Sequence, residues 1–174
     1  GLPIFANRIS AVDAPIVERM RHAGGVALAR TNLPELGLRV STNNPLHGLT
    51  RNPWHPDLTA GGSSGGEGSA IGSGMSPFGL GNDIGGSGRN PAFCCGIASL
   101  KPTHGRIPWF SSFAEDQNIG LPVWMMCTDG PMARSVSDLW TGMAVLNGRD
   151  VRDPRSVTVA LEGPEVPKRA AVLR

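Results

Sequence analysis

The 174-residue chain has 16 Lys plus Arg against 14 Asp plus Glu, a formal net charge of +2, with 40% hydrophobic and 17% charged residues. This is the composition of an ordinary globular piece, and it offers no basic surface for nucleic acid. No apolar stretch approaches the roughly 20 residues of a membrane-spanning helix. The three cysteines, with Cys94 and Cys95 adjacent, suit neither a disulfide framework nor a zinc site and point to a reducing cytoplasm.

Residues 1–12 read as a loop with a short extended piece. Asp13 is placed to cap a helix with Pro15 in its first turn. Ile16, Met20 and Ala23 fall on one face of it, and Gly24 or Gly25 stops it. Residues 26–29 read as a short buried strand, and the helix–strand step indicates an α/β layer fold. Residues 33–58 form a long connection containing Pro34, Pro45, Pro53 and Pro56, a length that signals function or tight docking. In it, His47 and His55 read as hydrogen-bonded loop residues and Trp54 as a packing residue.

Residues 64–75 read as a helix despite their glycines, with Ser64 as cap and Glu67 completing a capping box. Each glycine costs roughly 1 kcal/mol of helix propensity against Ala, so the helix makes sense only when buried against close neighbours. Pro77 ends it, and Phe78 and Leu80 alternate as a short central strand. Pro91 opens a second helix reaching Cys95, where both cysteines read as packing residues. Residues 97–100 are extended and 102–105 turn. Residues 108–126 hold Trp109, Phe110, Phe113 and Trp124, read as packing, and Glu115 with Asp116, read as a solvated pair. Ser135 starts the clearest helix: Val136, Leu139, Met143 and Leu146 recur at helical spacing, Asp138 lies in the first turn, and Gly148 follows the end. Residues 149–167 read as a charged surface connection, and 170–173 as the start of a further strand.

The stretch most informative about chemistry is residues 59–89, in which twelve of thirty-one residues are glycine and six are serine. Ile71, Met75, Phe78, Leu80 and Ile84 are spaced apolar anchors, so this is a folded segment in which backbone comes close to something. Phosphate binding is disfavoured: no Lys follows the glycines, and Gly79-x-Gly81 leads to Asp83, which repels phosphate. A tightly packed turn without chemistry stays open. So does a serine nucleophile: in Ile84-Gly85-Gly86-Ser87 two glycines let successive N–H groups converge on one point, where they stabilise an oxyanion while Ser87 attacks a carbonyl. The sequence Gly85-Gly86-Ser87-Gly88-Arg89 does not meet the Gly-x-Ser-x-Gly elbow. His22, His47, His55 and His104 are the histidines available as a base.

Five ordered blocks, spread over roughly two thirds of the chain, carry a resemblance. They are Asn43-Asn44-Pro45-Leu46-His47-Gly48-x-Thr50-x-Asn52-Pro53-Trp54, Gly61-Gly62-Ser63-Ser64-Gly65-Gly66, Gly81-Asn82-Asp83-Ile84-Gly85-Gly86-Ser87-Gly88-Arg89, Leu100-Lys101-Pro102-Thr103-x-Gly105-Arg106 and Gly130-Pro131-Met132-Ala133-Arg134. Together they resemble the amidase signature family. The resemblance implies an α/β fold, a mixed sheet covered by helices on both sides, incomplete within these residues. It implies amide C–N hydrolysis through an acyl-serine, with a Ser–Ser–Lys triad and no cofactor or metal. Ser87 is then the nucleophile, and Ser63, joined to Gly62 by a cis peptide, is the bridging serine, its hydroxyl within hydrogen-bond reach of Ser87. The N–H groups of Ile84, Gly85, Gly86 and Ser87 form the oxyanion hole, with Ser64, Asp83 and Arg89 in support. Asp83 and Arg89 are expected buried and paired. Gly37 and Leu38, within residues 36–40, approach the acyl side of a small-molecule amide. Neither nucleic acid nor membrane is implied as a partner, and a homodimer is left open.

The chain departs from the pattern in its lysines. It has only Lys101, which matches a structural position, and Lys168. The family's catalytic lysine falls before Gly1, so residues 1–174 are expected to be the central part of a single domain, cut at both ends. Gly88 and Asn90 stand where the family usually has apolar residues, and Ser99 where it has Gly. Two alternatives accompany the hydrolase reading: a non-catalytic scaffold that lacks the base, and the amidase subunit of a tRNA-dependent amidotransferase.

Overall fold

The computed structural model describes residues 1–111 and 120–163. Its elements, in order, are α1 (Pro15–His22), β1 (Asn43–Asn44), β2 (Gly48–Leu49), α2 (Gly65–Gly72), β3 (Phe78–Asp83), α3 (Arg89–Cys95), β4 (Ala98–Ser99), α4 (Leu121–Met126), β5 (Thr128–Ala133) and α5 (Val136–Leu146). β1 and β2 make a small hairpin, and the main sheet has the order β3-β5-β4 with both pairs antiparallel. The fold is α/β, with helices on both faces of this sheet.

Period-two alternation in β3 sorts the two faces. On one side the missing side chains at Gly79 and Gly81 leave room for close neighbours: a Cβ on Gly79 would overlap the Glu67 carboxylate of α2, and one on Gly81 would lie 2.6 Å from Met132 Sδ of β5. On the other side Phe78 and Leu80 pack on a core of Ile16, Ile107, Met143 and Leu146, contributed largely by α1 and α5. Gly142 lets α5 approach, since a Cβ there would meet the Phe78 ring at 2.5 Å. α2 and α3 pack closely for the same reason: a Cβ on Gly68 would lie 3.0 Å from Pro91 Cβ, and one on Gly72 would lie 2.9 Å from the Cys95 carbonyl. The glycines of α2 thus serve close approach, as its sequence required.

Several local expectations are corrected. Residues 26–29 form no strand; Val26 is 80% and Leu28 71% exposed, and no described strand lies beside them to satisfy their backbone. The N-cap of α1 is Ala14, and Asp13 instead pairs with Arg21 at 2.6 Å. Ser64 is the N-cap of α2 but makes no side-chain cap bond; its Oγ accepts from Asn82 N–H, and Glu67 accepts from the Thr31 hydroxyl at 2.6 Å, so no capping box forms. α2 ends at Gly72 rather than residue 75. Among the described strands β3 lies at one end of the sheet, and β5, which residue pattern did not reveal as a strand, lies between β3 and β4: Pro131 interrupts its β-propensity, yet all six of its residues are buried. α3 starts at Arg89, two residues before Pro91. α5 agrees with expectation, with Ser135 Oγ accepting from Asp138 N–H. Residues 150–156 are tied by Arg152 to Asp150 and Glu18, and by Arg155 to Asp153. Trp54 is largely exposed, yet its Nε1 donates to the Cys95 carbonyl at 2.7 Å and latches the loop to the end of α3. Phe113, Glu115, Asp116 and residues 170–173 lie outside the described residues.

Candidate active site

Strand β3 delivers the chain into the turn that carries Ser87, and Asp83 at its end organises that turn. Its carboxylate, 4% exposed, accepts five hydrogen bonds: Oδ1 from Gly86 N–H (2.8 Å) and Arg89 Nη2 (2.9 Å), Oδ2 from Gly88 N–H (3.0 Å), Arg89 N–H (3.2 Å) and Arg89 Nε (3.0 Å). Burial pushes this carboxyl up, but the Arg89 guanidinium and the three N–H groups outweigh it and hold it at about 2. Arg89 is paired as expected but not buried: its side chain is 54% exposed, because only the Nε edge of the guanidinium turns inward. Gly86 adopts φ +115°, a conformation that a Cβ disfavours, and this lets the turn curl back on Asp83.

That bracing corrects the expected four-donor hole. The Gly86 N–H is committed to Asp83. The N–H groups of Ile84, Gly85 and Ser87 have no acceptor among the described residues. They belong to the turn that carries the half-buried Ser87, whose backbone is tied to Asp83 through Gly86, Gly88 and Arg89.

Ser63 and Ser64 come from the loop preceding α2. The Gly62–Ser63 peptide is cis. Ser63 is buried, and a Cβ on Gly37 would lie 3.5 Å from its Oγ, so the segment 36–40 does bring Gly37 to this serine. Leu38 is 74% exposed beside it. Ser64 N–H donates to the Ser87 carbonyl at 3.0 Å, which ties the two serine-bearing loops together. The hydroxyls of Ser63 and Ser87 share no hydrogen bond, contrary to expectation; the loops are joined through backbone, and Ser63 Oγ faces Gly37.

Two supports were not legible in the sequence. Thr42, 1% exposed, places its Oγ1 at 2.9 Å from the Gly61 carbonyl, 3.2 Å from the Ser63 carbonyl and 3.1 Å from Gly65 N, bracketing Ser63 on both sides. Asn90 Oδ1 accepts from Gly62 N–H at 3.0 Å. A single Thr beside Asn43-Asn44 carries no pattern that marks it, and Asn90 stood out only as a departure from the residues that the family resemblance leads one to expect.

On the opposite face of β3, Asn82 Nδ2 donates to Asp129 Oδ1 at 2.6 Å and Asn82 Oδ1 accepts from Cys127 Sγ at 3.0 Å. Burial pushes the Asp129 carboxyl up to about 7, opposed by the Asn82 bond and reinforced by the charge of Asp153. Burial also raises Glu67, against the Thr31 hydrogen bond. The thiols of Cys95 and Cys127 are pushed to about 11, chiefly by burial, in keeping with packing roles. The histidines lie elsewhere: His104 contacts Arg155 at 3.2 Å and His55 stands 3.9 Å from Asp57, and no histidine bonds Ser63 or Ser87 among the described residues. Lys101 Nζ donates to the Met126 carbonyl at 3.2 Å, a structural tie between the end of β4 and α4. No group of three or more His, Cys, Asp or Glu that could hold a metal occurs among the described residues, nor any helix long and apolar enough to cross a membrane.

Comparison with known proteins bears on the family of the chain. The family model for Amidase matches residues 1–172. Indoleacetamide hydrolase of Bradyrhizobium diazoefficiens is 47% identical over 165 residues, covering 95% of this chain and 31% of that protein. A glutamyl-tRNA(Gln) amidotransferase subunit of Chromohalobacter salexigens is 40% identical, covering 90% of this chain and 31% of that protein. Among solved structures, 6-aminohexanoate cyclic dimer hydrolase with its substrate superposes with a TM-score of 0.78 at 41% identity, covering 86% of this chain and 30% of that one. A bacterial aryl acylamidase of the amidase signature family gives a TM-score of 0.78 at 35% identity, covering 90% and 31%. The chain therefore spans about a third of the length of the relatives it matches. With a serine turn braced on Asp83, a second serine loop tied to it, and a family match over nearly its whole length, the chain belongs to the amidase family.

Proposed function

We propose that residues 1–174 form the acylation half of an amidase site, in which Ser87 cleaves a carboxylic amide. Ser87 Oγ adds to the amide carbonyl carbon. The oxyanion that forms is held by the N–H groups of Ile84, Gly85 and Ser87, and charge developing on a fixed array of donors is stabilised without reorganisation. The Ser87 proton passes through Ser63 to a lysine outside residues 1–174, then to the leaving nitrogen as the C–N bond breaks. Water attacks the acyl-serine, the acid departs, and Ser87 regains its proton. Gly37 and Leu38 flank the acyl side, and Ser64, Asp83 and Arg89 hold the frame. No metal or cofactor enters this scheme.

The observation that carries the proposal is the turn itself: the N–H groups of Ile84, Gly85 and Ser87 have no acceptor among the described residues, while those of Gly86 and Gly88 are locked on Asp83. The higher identity to indoleacetamide hydrolase than to the amidotransferase relative favours a hydrolase of small or aryl amides over a partner-dependent enzyme. Labelling of the natural-length protein by a fluorophosphonate tests it. Covalent modification should map to Ser87 and vanish in Ser87→Ala; a protein left unlabelled while fully folded refutes the reading and leaves the scaffold role. Copurification from cells tests the amidotransferase alternative, and gel filtration a homodimer.

A further inference from the structure

Asn90 touches both serine-bearing loops. Its backbone N–H donates to the Gly86 carbonyl at 2.7 Å, in the turn that ends at Ser87. Its side-chain Oδ1 accepts from Gly62 N–H at 3.0 Å, one residue before Ser63. Only an acceptor can serve there, which fixes the amide orientation. The fit is close: a Cβ on Gly61 would lie 2.7 Å from Asn90 Oδ1 and 2.8 Å from Pro91 Cα, so the Gly61-Gly62 backbone lies directly against the first turn of α3. Thr42 grips the same loop from the far side through the Gly61 and Ser63 carbonyls and Gly65 N–H. The Gly62 N–H thus joins the Ser64–Ser87 backbone bond as a second tie between this loop and the segment that carries Ser87.

We infer that Asn90 is a positioning residue that sets the placement of Ser63 relative to Ser87, through a polar tie between the two serine-bearing segments. The inference rests on the proposed serine chemistry. An apolar side chain at position 90 would leave Gly62 N–H to water and the loop held only from the Thr42 side and by the Ser64–Ser87 backbone bond. Proton transfer between two hydroxyls is sensitive to such displacement: a shift of about 1 Å costs on the order of 100-fold in rate.

The experiment compares natural-length wild type with Asn90→Ala, Asn90→Leu and Asn90→Asp, reading amide hydrogen exchange at Gly62 and the two constants of fluorophosphonate labelling at Ser87. Asn90→Ala and Asn90→Leu should speed Gly62 exchange and lower the maximal labelling rate about 10- to 100-fold while probe affinity stays within about threefold. Asn90→Asp, which keeps an acceptor, should retain Gly62 protection and recover a large part of the rate. Labelling at the wild-type rate in a folded Asn90→Ala or Asn90→Leu overturns the inference, as does equal loss of rate and affinity, which would mark a merely structural role. If neither apolar variant folds, Asn90→Asp decides: loss of Gly62 protection with the acceptor present overturns the inference. A folded wild type that does not label at all refutes the serine chemistry and takes this inference with it, an outcome separate from a labelled wild type with unaffected variants.

Discussion

Replacing Asp83 by Asn keeps the shape of the side chain and removes its charge, which makes it the sharpest probe of the turn. A carboxyl held at about 2 against an ordinary value of 3.8 favours the folded state over the unfolded chain by about 2 kcal/mol at neutral pH. The amide adds a second cost. Oδ1 faces two donors and Oδ2 faces three, so whichever end becomes NH2 is set against at least two N–H groups. Each mismatched buried donor costs about 1 kcal/mol or more. The sum is about 4 kcal/mol, a large share of a typical domain's stability.

The sign with pH follows from the direction of the shift. A carboxyl depressed in the fold contributes stability above its unfolded value, and that contribution is lost as pH falls from about 4 to about 2. Urea unfolding of wild type and Asp83→Asn should therefore differ by about 4 kcal/mol at pH 7, and by about half of that at pH 2, where only the donor mismatch persists. A gap under about 1 kcal/mol at pH 7, or one that does not narrow in acid, refutes the reasoning.

Three further outcomes are expected. Asp129 is raised to about 7, so it contributes stability at low pH that is lost as pH rises from about 4 to 7, and Asp129→Asn should gain about 2–4 kcal/mol at pH 8 and little at pH 4, read by thermal or urea unfolding across that range. Gly66→Ala would drive a Cβ into the Asn32 backbone and should cost more than about 2 kcal/mol, whereas Gly85→Ala, whose Cβ meets nothing within 4 Å, should cost under about 1 kcal/mol; equal melting temperatures for the two would contradict the packing account. Gly86→Ala also meets open space, but at φ +115° it should lose about 1–3 kcal/mol through backbone strain alone, and its melting temperature should fall well below that of Gly85→Ala.

The parts of the fold legible in the sequence are those governed by local rules. α5 is marked by its cap, its apolar period and the glycine beyond its end, and each of these signals acts within a few residues. The serine turn is legible because Gly85-Gly86-Ser87 is a backbone requirement written in residue types. The glycines of α2 announced close packing, since nothing else offsets their loss of helix propensity. β5 was missed because Gly130 and Pro131 are poor strand formers, and its place between β3 and β4 depends on strands that lie tens of residues away. Residues 26–29 show the converse failure: a buried apolar run and an exposed one have the same sequence, and only neighbours tell them apart. Thr42 and Asn90 act through hydrogen bonds to distant backbone, which leave no periodic trace.

The two carboxylates at the end of the sheet carry this furthest. Asp83 and Asp129 lie in adjacent paired positions of one antiparallel ladder, Asp83 opposite Thr128 and Asp129 opposite Asn82, and both are nearly fully buried. Burial alone pushes both upward. Asp83 meets five donors and is held at about 2, while Asp129 meets the Asn82 amide and the like charge of Asp153 and rises to about 7. The same residue type thus carries different charge according to its surroundings: five donors, two of them on the Arg89 guanidinium, against deeper burial beside a like charge. The serine turn is therefore braced by a group that stays ionised at every pH above about 4, and the face behind it holds one that changes charge near neutrality. A change in Ser87 reactivity between pH 6 and 8 then cannot originate in the Asp83 clamp. The proton acceptor and Asp129, acting through Asn82, are then the two groups to separate, and Asp129→Asn does so: a profile that survives this substitution does not originate in Asp129.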